Sequence, residues 1–192
     1  MNQSFAALLL AARRERQLVI ATALTDGAPS GQARQARLAQ QQGAGAVELR
    51  ADLLADPAQV CAALTAVRAA SSLPLLLTYR STTEGGKGAG HGQGYEDYLA
   101  SLLQLRPAVA AVDIEMACPA SKALVAEAKA GGYDVVVSCH DFTATPSAAQ
   151  IAEKLAQITA AGADITKVAY MPRTAQDVAA LRHAAHDFAG AY

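Results

Sequence analysis

The sequence contains no tryptophan, and aromatic residues make up only 5% of its 192 positions. That scarcity argues against a platform that binds nucleic acid by stacking bases on rings. An excess of one charge is also missing. Sixteen Lys and Arg stand against seventeen Asp and Glu, a formal net charge of −1, so no basic field invites a nucleic-acid partner. Cysteine is scarce and scattered. Cys61, Cys118 and Cys139 form no CxxC pair, which argues against a zinc knuckle, a thioredoxin-type motif and a disulfide framework. A reducing cytoplasm fits this pattern. Long apolar runs are missing too. The run from Ala6 to Ala12 is too short to span a bilayer. Its basic cluster, Arg13, Arg14 and Arg16, follows it, the reverse of a signal peptide. A short amphipathic N-terminal helix is expected there, and no membrane partner.

What is present is the composition of one folded domain covering 1–192, with 52% hydrophobic and 17% charged residues. Six short runs rich in Val, Ile and Leu have the length of buried strands: Leu18–Leu24, Ala46–Leu53, Pro74–Arg80, Ala108–Met116, Tyr133–His140 and Asp164–Met171. Ala- and Leu-rich helical patterns follow them over Gly31–Gln42, Pro57–Ala70, Tyr95–Leu105, Ser121–Ala130, Ser147–Ala161 and Thr174–Phe188. Asp56-Pro57 and Thr145-Pro146-Ser147 read as helix starts, while Gly43, Gly131 and Gly162 stand where helices end. Strict alternation of strand and helix predicts a parallel sheet with right-handed crossovers, either open and doubly wound or curled into a barrel. The units recur about every 29 residues, and eight of them would approach the roughly 250 residues of a full barrel. The chain holds six.

One segment, Glu84 to Gly94, is dominated by glycine. Lys87 is followed by Gly88, so it is no Walker loop, and it fails GxGxxG in every register. A mobile lid or connector is expected.

A parallel strand buried on both faces should be continuously apolar. Here five consecutive strands place ionisable groups near their C-terminal ends, the end that carries active sites in α/β folds. Alternation puts Glu48, Arg50 and Asp52 on one face, Thr78 and Arg80 on the next strand, then Asp113 with Glu115, Ser138 with His140, and Lys167. Glu84 follows the third strand. Around a shared cavity these acids and bases would neutralise one another, either as an ion-pair network or as a reaction site. Lys167, in an apolar strand among other cations, is expected to have a lowered pKa. A neutral amine can attack a carbonyl and form a Schiff base. His140 is the natural proton shuttle, with Glu84 or Glu115 to orient it, and the arginines suit a small carboxylate substrate. No metal or cofactor is needed. His183 and His186 read as surface residues, and adjacent Cys139 and His140 point to opposite faces.

The motifs Ala46-Val47-Glu48-Leu49-Arg50-Ala51-Asp52, Leu77-Thr78-Tyr79-Arg80 with Glu84-Gly85-Gly86, Val112-Asp113-Ile114-Glu115, Ser138-Cys139-His140-Asp141-Phe142 with Thr145-Pro146, and Ile165-Thr166-Lys167-Val168-Ala169 with Met171-Pro172 resemble, in order, those of type I 3-dehydroquinate dehydratases. The resemblance implies a TIM-type (β/α) barrel, here incomplete with about six βα units and a short N-terminal helix. It also implies the shikimate-pathway conversion of 3-dehydroquinate to 3-dehydroshikimate and water. By it, Lys167 forms the Schiff base, His140 removes the C2 proton and then helps water leave, and Glu84 positions His140. Glu48, Arg50 and Arg80 bind substrate hydroxyls and carboxylate. The family's last two strands, which bring a further arginine and a closing serine and glutamine, would lie after Tyr192. Two open sheet edges are then expected, and with them a homodimer. The alternatives are a class I aldolase sharing Lys167, or a catalytically weak or inactive barrel remnant acting only in binding or association.

Overall fold

The computed structural model describes residues 4–105 and 109–191. Ala108, where the fourth strand is expected to begin, lies outside them. After an N-terminal helix α1 (Phe5–Arg14), strands and helices alternate as β1 (Ala21–Leu24), α2 (Pro29–Gln41), β2 (Ala46–Arg50), α3 (Pro57–Ala70), β3 (Leu75–Thr78), α4 (Gln93–Leu102), β4 (Ala111–Glu115), α5 (Ser121–Ala130), β5 (Asp134–Asp141), α6 (Ala148–Ala160), β6 (Ile165–Tyr170) and α7 (Ala175–Ala191). All six strands pair in parallel, in the order β1-β2-β3-β4-β5-β6. Among the described residues, no helix is long and apolar enough to cross a membrane.

Several boundaries move from where the sequence places them. The first strand starts at Ala21 instead of Leu18, because it lies at a sheet edge with a neighbour on one side only. Leu18 is 95% exposed and Ile20 64%. The apolar run at the second strand ends at Arg50, and Ala51–Leu53 turn into a short 3₁₀ helix. The expected caps form. Asp56 accepts the Gln59 N–H at 2.8 Å ahead of Pro57, and Ser147 closes a capping box with Gln150. At the end of α5 Gly131 stays helical, and Gly132 takes the left-handed turn instead.

The sheet curls. Strands β2 and β6 would stand about 19 Å apart in a flat sheet. Yet the Lys167 ammonium of β6 reaches the Glu48 carboxylate of β2 at 2.9 Å. The outer faces of the strands, including Leu49, Leu77, Val112 and Val137, pack under the helices in the main core. The inner face is split by height. Ala46, Leu76, Ala111 and Val136 form an apolar floor, and Phe5 of α1 inserts into it. Helix α1 is held there by its N-terminus, where Ser4 Oγ and the Ala6 N–H both donate to Asp134 Oδ2 at 2.8 Å. Above the floor the inner face is polar. Phe5→Ala should therefore lower the unfolding free energy by about 3–5 kcal/mol in urea titration, the usual cost of emptying a buried aromatic site. An unchanged midpoint would take α1 out of the core.

Candidate active site

Alternation along β2 to β6 turns charged side chains of five strands into the upper half of the curl. Asp113 lies at the centre and is fully buried. Its Oδ2 accepts from Lys167 Nζ at 3.0 Å and lies 2.9 Å from Arg80 Nη2. Its Oδ1 accepts from Ser138 Oγ at 2.6 Å. Burial alone would raise this carboxyl, but Arg80 and Lys167 outweigh it and hold Asp113 well below the usual carboxylate range.

Lys167 is also bonded to Glu48 Oε1, which takes the Thr78 hydroxyl at 2.7 Å. Its side chain is 30% exposed and borders a cavity of about 290 Å³ reaching down to Phe5, Leu76 and Val136. The expectation of a lowered amine pKa is corrected here. Burial does pull the ammonium down, as does Arg80, but Asp113 and Glu48 together outweigh both and the net shift is upward. Lys167 stands among cations in sequence and among anions in space.

Arg80 is almost wholly enclosed. Beyond Asp113, its Nη1 donates to Glu115 Oε1 at 2.8 Å and to Ser138 Oγ at 3.0 Å, with Glu84 Oε2 at 3.4 Å. Burial opposes its charge, but the surrounding carboxylates prevail and its pKa is raised. Arg50 stands nearer the rim with its side chain 22% exposed, and it makes two 2.7 Å bonds to Asp52. That bonding raises Arg50. Burial works to raise Asp52, but its Arg50, Lys87 and Arg80 partners lower it overall.

His140 ends the inner row of β5, one pleat above Ser138, which pairs with Lys167. Its Nδ1 lies 2.7 Å from Glu84 Oε2. A carboxylate accepts, so Nδ1 is the donor of this bond, and in the neutral ring the lone pair is then on Nε2. The His140 ring stacks on Phe142 at 6.1 Å. Glu84 reaches His140 from a short 3₁₀ helix, Thr82–Glu84, capped by Ser81 Oγ on the Glu84 N–H. The two glycines after it are required by contact. Gly85 adopts φ +80°, and a Cβ there would meet the Phe142 ring at 2.6 Å. A Cβ on Gly86 would come 2.2 Å from the Arg80 carbonyl oxygen.

The expected mobile loop is thus corrected as well. The Lys87 N–H donates to Asp52 at 3.0 Å, the Ala89 N–H to Tyr79 Oη at 2.9 Å, and Gly88 bridges to Ser81. His91, which the sequence reading passes over, places Nε2 2.5 Å from Glu115 Oε2. Ser81, equally overlooked, donates to Glu115 from both its N–H and its hydroxyl. A lone imidazole in a run of glycines was the available signal for the first. Ser81 carries none, since a serine after a strand is commonplace. Glu48, Arg80, Glu84, His140 and Lys167 are joined through Asp113 and Ser138 into one network, with Arg50 at its margin. His183 and His186 lie exposed on α7, each against Asp187.

A family model described as type I 3-dehydroquinase matches residues 20–192. The chain belongs to the type I 3-dehydroquinase family. It is similar to the 3-dehydroquinate dehydratase of Methanosarcina barkeri, with 38% identity over 155 residues, 79% of this chain and 64% of that one. The enzyme of the same name from Klebsiella pneumoniae (MGH 78578) is 38% identical over 150 residues, 57% of its length. Among solved structures, 3-dehydroquinate dehydratase from Enterococcus faecalis superposes with a TM-score of 0.80 at 31% identity, covering 88% of this chain and 73% of that chain. That from Geobacillus kaustophilus superposes with a TM-score of 0.79 at 26% identity, covering 88% and 68%. The family's barrel is therefore present as an α/β curl of six parallel strands, and the chain spans about three-fifths of the curated relatives it matches.

Proposed function

We propose that the chain dehydrates 3-dehydroquinate to 3-dehydroshikimate through an imine on Lys167. The observation that carries this reading is the pairing of a lysine facing open space with a histidine whose Nδ1 is held by Glu84, one pleat away on the neighbouring strand. Family membership supplies the substrate.

Lys167 first gives up a proton, for which the bonded Glu48 carboxylate is the nearest acceptor. The amine attacks the C3 ketone, and loss of water forms the imine. The imine acidifies the C2–H bond, and His140 Nε2 takes that proton as an enamine forms. The enamine then expels the C1 hydroxyl, which leaves as water with the proton from His140. Hydrolysis of the conjugated imine frees the product and the lysine. Glu84 keeps the imidazole in the tautomer that leaves Nε2 available and steadies the imidazolium between the two transfers. Arg50, near the rim, faces the substrate carboxylate, while Glu48 and Arg80, above the apolar floor, meet its hydroxyls.

His140→Ala tests this directly. kcat should fall by about 10²–10⁴-fold, the usual worth of a positioned acid–base group. Imine formation on Lys167, read by borohydride trapping, should persist. Turnover within a few-fold of wild type would remove His140 from the reaction. A product assay showing carbon–carbon cleavage would favour an aldolase instead. The open β1 and β6 edges support the second reading, a remnant acting in association, which predicts no turnover by the folded chain.

A further inference from the structure

Besides Glu84 at its start, the glycine-rich segment contributes His91 to the interior of the site. Besides Glu115, its ring meets Ser81 Oγ at 3.3 Å and lies edge-on to Tyr95 of α4 at 5.4 Å. The backbone N–H of His91 donates to Thr83 Oγ1 at 3.3 Å. The imidazole is thus fixed from three sides. Glu84, His91 and Glu115 bring their ligand atoms within 4.8 Å of one another, the spacing of a metal site. Arg80 already sits on both carboxylates, so a metal ion there would have to displace a guanidinium or lie against it.

A different role follows from the bonding. Glu115 is fully buried and accepts four donors: Arg80 Nη1, the Ser81 N–H, the Ser81 hydroxyl and His91 Nε2. Arg80 Nη1 is shared in turn among Glu115 at 2.8 Å, Ser138 at 3.0 Å and Glu84 at 3.4 Å. The contact to Glu84 is the longest of the three and the first to yield when the guanidinium moves. Glu84 is the group that holds His140. Whatever fixes the Glu115 carboxylate therefore sets where Arg80 rests and how much of its N–H remains for Glu84. Without the His91 donor, Glu115 is one hydrogen bond short and draws Arg80 towards itself, loosening Glu84.

We propose that His91 is a positioning residue for His140, acting through the Glu115–Arg80–Glu84 bridge. Its kinetic importance rests on the reading of His140 as the acid–base group, but the positioning itself can be measured without substrate. The chain has four histidines, two of them exposed on α7, so ring nitrogen signals can be assigned by single replacements in ¹⁵N-histidine-labelled protein. In H91L the His140 ring signals should move while those of His183 and His186 stay in place. In H91Q, whose amide N–H can reach Glu115, they should return towards wild type. His140 signals unmoved in a folded H91L would overturn the proposal and leave His91 as a loop anchor only. Should H91L fail to fold, comparison of wild type with H91Q and H91N gives the same reading, since the shorter amide falls short of Glu115. There, identical His140 signals in all three would overturn it. With substrate, kcat should drop about 10-fold in H91L at nearly constant KM, less than the roughly 100-fold that a 1 Å misplacement can cost. H91Q should recover most of that loss. If wild type shows no turnover but the His140 signals respond, the functional reading fails and the positioning stands.

Discussion

Replacing Lys167 by alanine should abolish turnover of 3-dehydroquinate, by about 10³-fold or more, because Lys167 is the amine placed in the site to form the imine. Binding should survive better than turnover, since Glu48 and Arg50 remain. The alanine variant should also fold. The lysine is partly exposed, and Glu48, released from it, still accepts the Thr78 hydroxyl. Asp113 keeps Arg80 and Ser138. The raised pKa of Lys167 adds a second expectation. Most of the resting protein carries an ammonium, so imine formation should quicken as pH rises towards the lysine's titration. Asp113→Asn removes one of the two carboxylates that raise that amine and should move the onset to lower pH. Substantial turnover by Lys167→Ala would exclude the imine route.

The second large effect belongs to stability. Arg80 is enclosed by Asp113, Glu115 and Glu84, all three buried. Arg80→Leu strands these carboxylates, and breaking a buried ion pair from one side costs about 3–5 kcal/mol. Against a total of roughly 5–15 kcal/mol, that leaves a marginal fold. The pH dependence distinguishes this cause from lost packing. In wild type Asp113 titrates far below its unfolded value, so its contribution is complete above the unfolded carboxylate pKa of about 3.9 and is lost as pH falls from about 5 downwards. Lys167 is raised, so its contribution is complete at neutral pH and is lost as pH rises past about 10.4. Without Arg80, the largest influence holding Asp113 down is gone, burial pulls that carboxyl upward, and its protonation relieves the strain. Urea midpoints between pH 7 and pH 4 should therefore fall for wild type and fall less, or rise, for Arg80→Leu. Parallel curves would mean that the arginine contributes bulk rather than charge.

The order of elements was legible from the sequence because each strand is a short apolar run bounded by a cap or a glycine. The outer faces, Leu49, Leu77, Val112 and Val137, sit in one core as a two-residue alternation requires. The same alternation brought Glu48, Arg80, Asp113, His140 and Lys167 into one bonded network. Three features escaped it, each depending on distance across the sheet. The lysine's charge environment is set by residues of β2 and β4, brought close only by curling. The glycine-rich segment reads as loose because its fixing groups, Asp52 and Tyr79, lie on other elements. The role of Arg80 as a hub depends on three acids converging on one guanidinium, which alternation places on the same side but does not bring into contact. At the first strand the apolar run Leu18-Val19-Ile20 overstated the pairing, since nothing flanks its outer side among the described residues.

The central claim is that this curl of six strands assembles an imine site around Lys167. The folded chain incubated with 3-dehydroquinate and borohydride, then read by intact-mass and peptide mass spectrometry, tests it most directly. One adduct per chain is expected, carried by the peptide containing Lys167. A folded sample that acquires no adduct, or acquires it on another lysine, would contradict it.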